Sequence, residues 1–275
     1  MGINCISDAN LARLRELSRY VDELANLPHR KRQPYVGDSA FAHKGGMHVD
    51  AVTKNPLTYE HVIPEQVGNR RRVLVSDYAG KSNILQKAAE LDIPITRDSP
   101  ELNDILKKVK ELENEGYEFE GAEASLELLM LRAGHGYESV FKIFDRIDYR
   151  VLTERRKVDS HPVSEATITV EVGGKIEHAA AWGNGPVNAL DKALRTLLPN
   201  YFPGKGLEKV QLFDYKVRVL TAAEGTGSRV RVLIESGDGK ARWGTVGVSE
   251  DVIEASWQAL VDSIEYKLLR MSRKK

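Results

Sequence analysis

Cysteine is almost missing from this chain of 275 residues: Cys5 is the only one. One thiol allows no intrachain disulfide framework and no cysteine-based zinc site. Net charge is missing too, since 40 Lys and Arg balance 40 Asp and Glu. Without a bulk positive field there is no general pull on phosphates, which argues against a nucleic-acid or anionic-membrane binder. The N-terminus lacks a basic-then-apolar leader, and no apolar run reaches the length of a bilayer span. The expected location is cytoplasmic, with no membrane partner. No His-x-His pair, HExxH or Cys-His set occurs, so no self-contained metal site is expected. Three local basic runs stand out: His29-Arg30-Lys31-Arg32, Arg70-Arg71-Arg72 and Arg273-Lys274-Lys275. The first and last read as solvated loop or terminal charge; Arg70-Arg71-Arg72 would serve a nucleic-acid-binding α/β domain, a reading that the neutral charge balance and the lack of interleaved aromatic residues argue against.

What is present is 41% hydrophobic and 29% charged, ordinary for a globular protein. Ser7 to Leu27 has apolar residues at three- and four-residue steps (Leu11, Leu14, Leu17, Tyr20, Val21, Leu24), which predicts one amphipathic helix with Asp8 as its N-cap. Pro34 to Gly80 loses this periodicity but keeps too many apolar residues for a solvated chain, so it reads as an ordered, irregular segment with function. A short strand is expected over Arg72 to Ser76. Helices are expected over Ser82–Leu91, from Asp98-Ser99-Pro100-Glu101 to Glu115, and over Glu120–Arg132.

Beyond Glu138 the pattern becomes strand-like. Val140–Glu154 is followed by Thr167, Ile168, Val170 and Val172, a Gly173-Gly174 turn and a return strand over Lys175–Trp182. A helix over Val187–Leu198 closes this unit. The order then repeats: strands over Gln211–Thr221, Arg229–Glu235 and Ala241–Val248, and a helix capped by Ser249 and running to Leu269. The return strands share a dipeptide, Trp182-Gly183 and Trp243-Gly244, and the repeat predicts two units about a pseudo-twofold axis. One such layer cannot bury both faces of its sheet, so a shared core and dimerisation are expected.

The densest polar cluster runs from Gly37 to Asp50. His48 and Asp50 would share a face if the segment were extended, which suits proton transfer or orientation of a ligand. A loop histidine bonded to a backbone carbonyl explains the pair equally well. Ser76 to Ser82 has a passing likeness to a phosphate loop but lacks the first glycine. Gly183-Asn184-Gly185-Pro186 offers backbone N–H groups at a helix start, where a carboxylate could sit; a plain tight turn is the simpler account.

Gly37 to Val52 and Tyr59-Glu60-His61-Val62-Ile63-Pro64-Glu65-Gln66-Val67-Gly68 resemble the segment behind the catalytic barrel of the isopropylmalate, citramalate and homocitrate synthase family. The duplicated C-terminal half resembles that family's amino-acid-sensing dimerisation domain. Arg71 to Asp77, Glu118 to Ser125 and Trp243 to Ser249 look most like the citramalate synthase branch. The resemblance implies an α+β fold: a helix over 1–33, an irregular lid over 34–80, a helical subdomain over 81–138 and a duplicated βββα two-layer regulatory domain over 139–275. It implies that the family's TIM barrel, with its divalent metal and its sites for acetyl-CoA and the 2-keto acid, is absent and would precede residue 1. Alone, the chain is then expected to hold no cofactor and to be inactive. The implied reaction is a Claisen condensation of acetyl-CoA with pyruvate to (R)-citramalate in isoleucine biosynthesis. His48, Asp50 and Tyr59 would be its active-site contribution. Gly183, Gly185, Pro186, Val187 and Asn188, with Tyr215, Leu220 and Thr226, would bind isoleucine near a homodimer interface. The alternatives are the same half of 2-isopropylmalate synthase, which uses 2-oxoisovalerate and senses leucine, and a stand-alone amino-acid-binding dimer without catalysis.

Overall fold

Alternating apolar residues in β-branched runs build the two small sheets that dominate the C-terminal half. The computed structural model describes residues 5–25, 27, 29–74, 80–133, 144–155, 161–220, 225 and 227–273. The chain divides into two compact units, Met1–Lys110 and Glu111–Lys275. No helix among the described residues is long and apolar enough to cross a membrane.

In the first unit the N-terminal helix is broken into α1 (Asp8–Leu11) and α2 (Leu14–Leu24). Ser7, not Asp8, is the N-cap, its Oγ accepting from the Asn10 N–H. The break at Ala12–Arg13 splits the expected single helix. Along α2 the apolar stripe faces outward, with Leu17, Tyr20, Val21 and Leu24 all exposed. Two of its arginines, Arg15 and Arg19, instead reach Asp38, each at 2.6 Å.

The expected irregular segment contains regular structure. β1 (Ala42–His43) pairs in parallel with β2 (Arg72–Val73), and α3 (Gly46–Lys54) follows β1 directly. Short 3₁₀ turns cover Pro56–Thr58 and Pro64–Val67. Val49 and Val52 bury the inner face of α3, and Asn83 of α4 (Lys81–Glu90) ties the two ends together by donating to the Lys44 and Leu74 carbonyls. The far end of the expected strand, Val75 and Ser76, lies outside the described residues. α5 (Glu101–Glu115) buries Leu102, Ile105 and Val109, and Gly116 follows with φ 109°.

The second unit is the predicted duplication. β3 (Asp145–Glu154), β4 (Val163–Val172), β5 (Lys175–Gly183) and α7 (Pro186–Tyr201) form one repeat. β6 (Gln211–Val219), β7 (Val230–Gly237), β8 (Arg242–Ser249) and α8 (Val252–Arg273) form the other. Each sheet is antiparallel, with its strands in sequence order. Gly173 and Gly174 have φ 59° and 77°, the paired positive values of a type I′ turn. One continuous core joins the repeats: Ala166, Ile168 and Val170 of β4 and Leu190 and Leu194 of α7 with Val232 and Ile234 of β7 and Trp257 and Ile264 of α8.

Two expectations need correction here. The shared Trp-Gly dipeptides are not equivalent, because Trp182 ends its strand and is exposed whereas Trp243 begins its strand and is buried. The true counterpart of Gly183 is Gly247. At both positions the return strand runs so close to the first turn of its helix that a Cβ would meet backbone, at 2.4 Å from Ala189 N and 2.0 Å from Ala255 O. Asp251, not Ser249, caps α8, accepting from the Ile253 N–H through its side chain and from the Ala255 N–H through its carbonyl.

α6 (Glu123–Ala133) completes this unit by packing on both β8 and α8, and the segment ahead of it crosses β8, where a Cβ on Gly244 would fall 1.8 Å from the Gly121 carbonyl oxygen. Ser125 Oγ accepts from the Val246 N–H and donates to Asp262, and Arg132 binds Asp262 and Glu265 at 3.0 and 2.6 Å. Along β8, Trp243 and Thr245 to Val248 are all buried. β3, β5 and the edge strand β6 keep apolar side chains outside: Leu152, Ile176, Trp182, Leu212, Phe213, Val217 and Val219 are exposed.

Candidate functional site

In the first unit, His48 and Asp50 both sit on α3. Two residues along a helix turn the side chain through about 200°, so the pair does not share a face as an extended segment would have it. Asp50 instead binds Lys54 one turn on, at 2.6 Å. His48 is exposed and lies against Tyr59, with ring centroids 4.2 Å apart and planes tilted by 31°. Tyr59 is 49% exposed, and Met47 and Leu57 beside the pair are more exposed still. A solvent-facing imidazole and phenol in contact, rimmed by unpartnered apolar side chains, suit a surface that closes over a ligand held elsewhere.

Behind this pair is a charge cluster that spacing did not reveal. Glu60 has a side chain only 3% exposed. Its carboxylate accepts from Arg71 Nε and Nη2 at 2.8 and 2.6 Å and from His43 Nε2 at 2.9 Å. Burial pushes the Glu60 carboxyl up, but the bonds from Arg71 and His43 outweigh it and hold the group below the usual carboxylate range.

In the second unit a cavity of about 560 Å³ opens between the repeats. Its apolar wall is Val187, Val210, Leu212, Leu260 and Ile264, with Tyr215 beside them. Its polar groups are Asn188, Asp191, Arg195, Ser236 and Ser263. Every one of them is anchored. Arg195 Nε bridges both Asp191 oxygens at 2.8 Å, and its Nη1 donates to the Leu207 carbonyl. Asn188 Oδ1 accepts from the Asn184 N–H, which fixes the Gly183–Pro186 turn. Ser263 donates to Ser236. Ser256 donates to Val252, so the Tyr215 hydroxyl, 2.6 Å from Ser256 Oγ, is the donor in that bond. Size, apolar lining and a few fixed polar groups are those of a small-ligand site.

The cavity thus gathers three of the expected effector residues, Val187, Asn188 and Tyr215. Gly183, Gly185 and Pro186 form the turn ahead of α7 and do not line it. Leu220 lies elsewhere, against Gly116, where a Cβ would fall 2.1 Å from Leu220 Cδ1. Thr226 is outside the described residues. Among the described residues no three His, Cys, Asp or Glu side chains group to hold a metal ion.

Comparison with known proteins now bears on both units. Residues 120–268 match the LeuA allosteric (dimerisation) domain, and residues 35–117 match the homocitrate synthase post-HMGL domain-like family. The chain belongs to the LeuA allosteric domain family. The LeuA-type match starts beside α6, in keeping with that helix packing on β8 and α8. Among relatives of this LeuA-type chain, the (R)-citramalate synthase of Geobacter sulfurreducens is 60% identical over 96% of the chain and 49% of its own length. The (R)-citramalate synthase of Aquifex aeolicus is 54% identical over 98% and 50%, and the 2-isopropylmalate synthase of the same organism 30% over 96% and 47%. The chain spans about half the length of the curated relatives it matches, corresponding to their C-terminal portion.

Asp191, Arg195, Ser236 and Ser263 were missed by sequence reasoning. Asp191 and Arg195 are four apart on a helix, the spacing of any surface ion pair, and the two serines meet only through the β7–α8 packing. Glu60 is adjacent to Tyr59, yet its partners are 17 and 11 residues away.

Proposed function

We propose that this chain is the regulatory and active-site-lid portion of an (R)-citramalate synthase. The observation that carries the reading is the identity gap within one organism: 54% to the citramalate synthase of Aquifex aeolicus against 30% to its 2-isopropylmalate synthase. The whole enzyme would join acetyl-CoA, pyruvate and water to give (R)-citramalate and free CoA. The acetyl methyl loses a proton, its carbon bonds to the keto carbon of pyruvate, and water cleaves the thioester. A divalent metal would belong to the barrel that binds these substrates. His48 and Tyr59 would enter that barrel, His48 moving a proton and Tyr59 orienting the thioester carbonyl or the water. Asp50, turned away and paired with Lys54, would lie outside the reacting group.

The cavity between the repeats would hold isoleucine, its aliphatic wall taking the side chain. The apolar groups exposed on β3, β5 and β6 support a homodimer, as does the dimerisation domain the sequence matches. Thermal unfolding of the chain tests the sensor reading. Isoleucine at about 100 times its Kd adds roughly 2.7 kcal/mol of stability, and leucine at the same concentration should add clearly less. Equal shifts with both, or no shift, refute a citramalate-type sensor. Incubated alone with acetyl-CoA and pyruvate, the chain should release no CoA; turnover would refute its assignment as lid and regulator.

A further inference from the structure

We infer that Glu60 is the positioning residue of the lid: its buried carboxylate cross-links the two segments that present His48 and Tyr59. This rests on the reading of those two side chains as the lid's chemistry. His43 ends β1, and the chain passes from it through Lys44 and Gly45 straight into α3, which carries His48. Glu60 follows Tyr59 directly. The 2.9 Å bond from His43 Nε2 to Glu60 Oε1 therefore joins the His48 segment to the Tyr59 segment beneath the exposed ring pair. Arg71, one residue before β2, closes the triangle with two bonds to the same carboxylate, and β2 pairs with β1. The Tyr59 and Glu60 N–H groups both reach the Pro56 carbonyl, at 3.2 and 3.0 Å, so the Tyr59 backbone is held by the 3₁₀ turn on one side and by the carboxylate on the other.

The ring pair has nothing comparable of its own. His48 is exposed, Tyr59 is half exposed, and one exposed ring contact is too weak to fix a short helix against the end of a 3₁₀ turn. The order comes from below, from a bidentate arginine and a histidine on a carboxylate shielded from water. Glu60 touches no reacting atom in this scheme. It acts through the placement of its neighbours, as a support holds a first shell of functional groups in place.

The test is the nuclear magnetic resonance position of the His48 ring protons in the whole chain. Stacked on Tyr59 they are displaced upfield, and Tyr59→Ala sets the unstacked position while Tyr59→Phe keeps the stacked one. Glu60→Gln, which keeps the size and loses the charge, should move the His48 protons most of the way to the Tyr59→Ala position while the amide signals of β3–α8 stay in place. Should Glu60→Gln fail to fold, Arg71→Lys is measured instead. It keeps the charge, loses the fork, and is expected to give a partial displacement. A folded Glu60→Gln or Arg71→Lys whose His48 protons stay at the wild-type position overturns the inference. Failure of the lid reading has a different signature: His48→Ala in the whole enzyme would leave citramalate formation unchanged, whatever Glu60→Gln does to the ring pair.

Discussion

Two glycines in one turn should respond in opposite ways to the same substitution. In Gly183→Ala the new methyl would sit 2.4 Å from Ala189 N, 2.8 Å from Ala189 Cα and 2.9 Å from the Asn188 carbonyl carbon. All three are backbone atoms of the first turn of α7, so no flexible side chain can yield and the helix must move off β5. Overpacking of this kind costs about 1–3 kcal/mol. For a unit of this size each kcal/mol is worth about 2–4 °C, so the melting temperature should fall by roughly 2–12 °C. At Gly185 a Cβ meets nothing within 4 Å, and its φ of −174° is extended backbone open to any residue. Gly185→Ala should therefore be neutral or slightly stabilising, by up to about 1 kcal/mol through the unfolded chain. The displaced turn carries Val187 and Asn188, two walls of the cavity, so Gly183→Ala should also weaken the isoleucine-induced shift while Gly185→Ala leaves it intact. Differential scanning calorimetry of both variants, with and without isoleucine, decides the matter. If Gly185→Ala costs as much as Gly183→Ala, the two glycines matter as a motif for some other reason and the close-approach argument is refuted.

Other consequences are simpler to check. Lys267 Nζ meets Asp238 Oδ2 at 2.7 Å with both side chains largely buried, and removing one member of such a pair costs about 3–5 kcal/mol; Lys267→Met should lower urea stability by up to that amount, and a loss under about 0.5 kcal/mol would contradict it. Burial raises the Asp238 carboxyl, but Lys267 and the Lys240 and Ala241 N–H groups outweigh it, so its folded pKa is depressed. Its contribution is complete above the ordinary Asp value and fades as pH falls through the folded one, so Lys267→Met should shrink the acid-dependent part of the stability curve; an unaltered acid limb would count against this. Asp50→Ala should change stability by only about 0.3–0.5 kcal/mol and leave the His48 ring-proton positions in nuclear magnetic resonance spectra where they were, whereas a clear displacement would restore the His-x-Asp pairing that α3 separates.

The duplicated half was legible because its signals are local and redundant. Period-two apolar residues in β4 and β7, a Gly-Gly turn and a long helix stripe each point to the same architecture. The lid was legible in content but not in conformation. α3 opens with Gly46, puts Met47 and His48 outside and buries only Val49 and Val52, an apolar face too short to betray a helix, and the inferred alignment of His48 with Asp50 failed with it. The Trp-Gly dipeptides misled for the opposite reason: identical letters sit at opposite ends of their strands, while the true equivalence, Gly183 with Gly247, is a shared steric need. Val187, Asn188 and Tyr215 were reached through family likeness. Asp191, Arg195 and Glu60 needed coordinates, because their significance lies in which distant segments they meet.

The cavity in the second unit takes its wall from α7 of one repeat and from β6, β7 and α8 of the other. A single βββα copy holds only half of it. The chamber therefore exists only where the two repeats meet. One repeat supplies the Asp191–Arg195 pair and the other Tyr215 and the serines. Whatever the chamber holds is held at the seam, and either repeat alone would lack part of its wall.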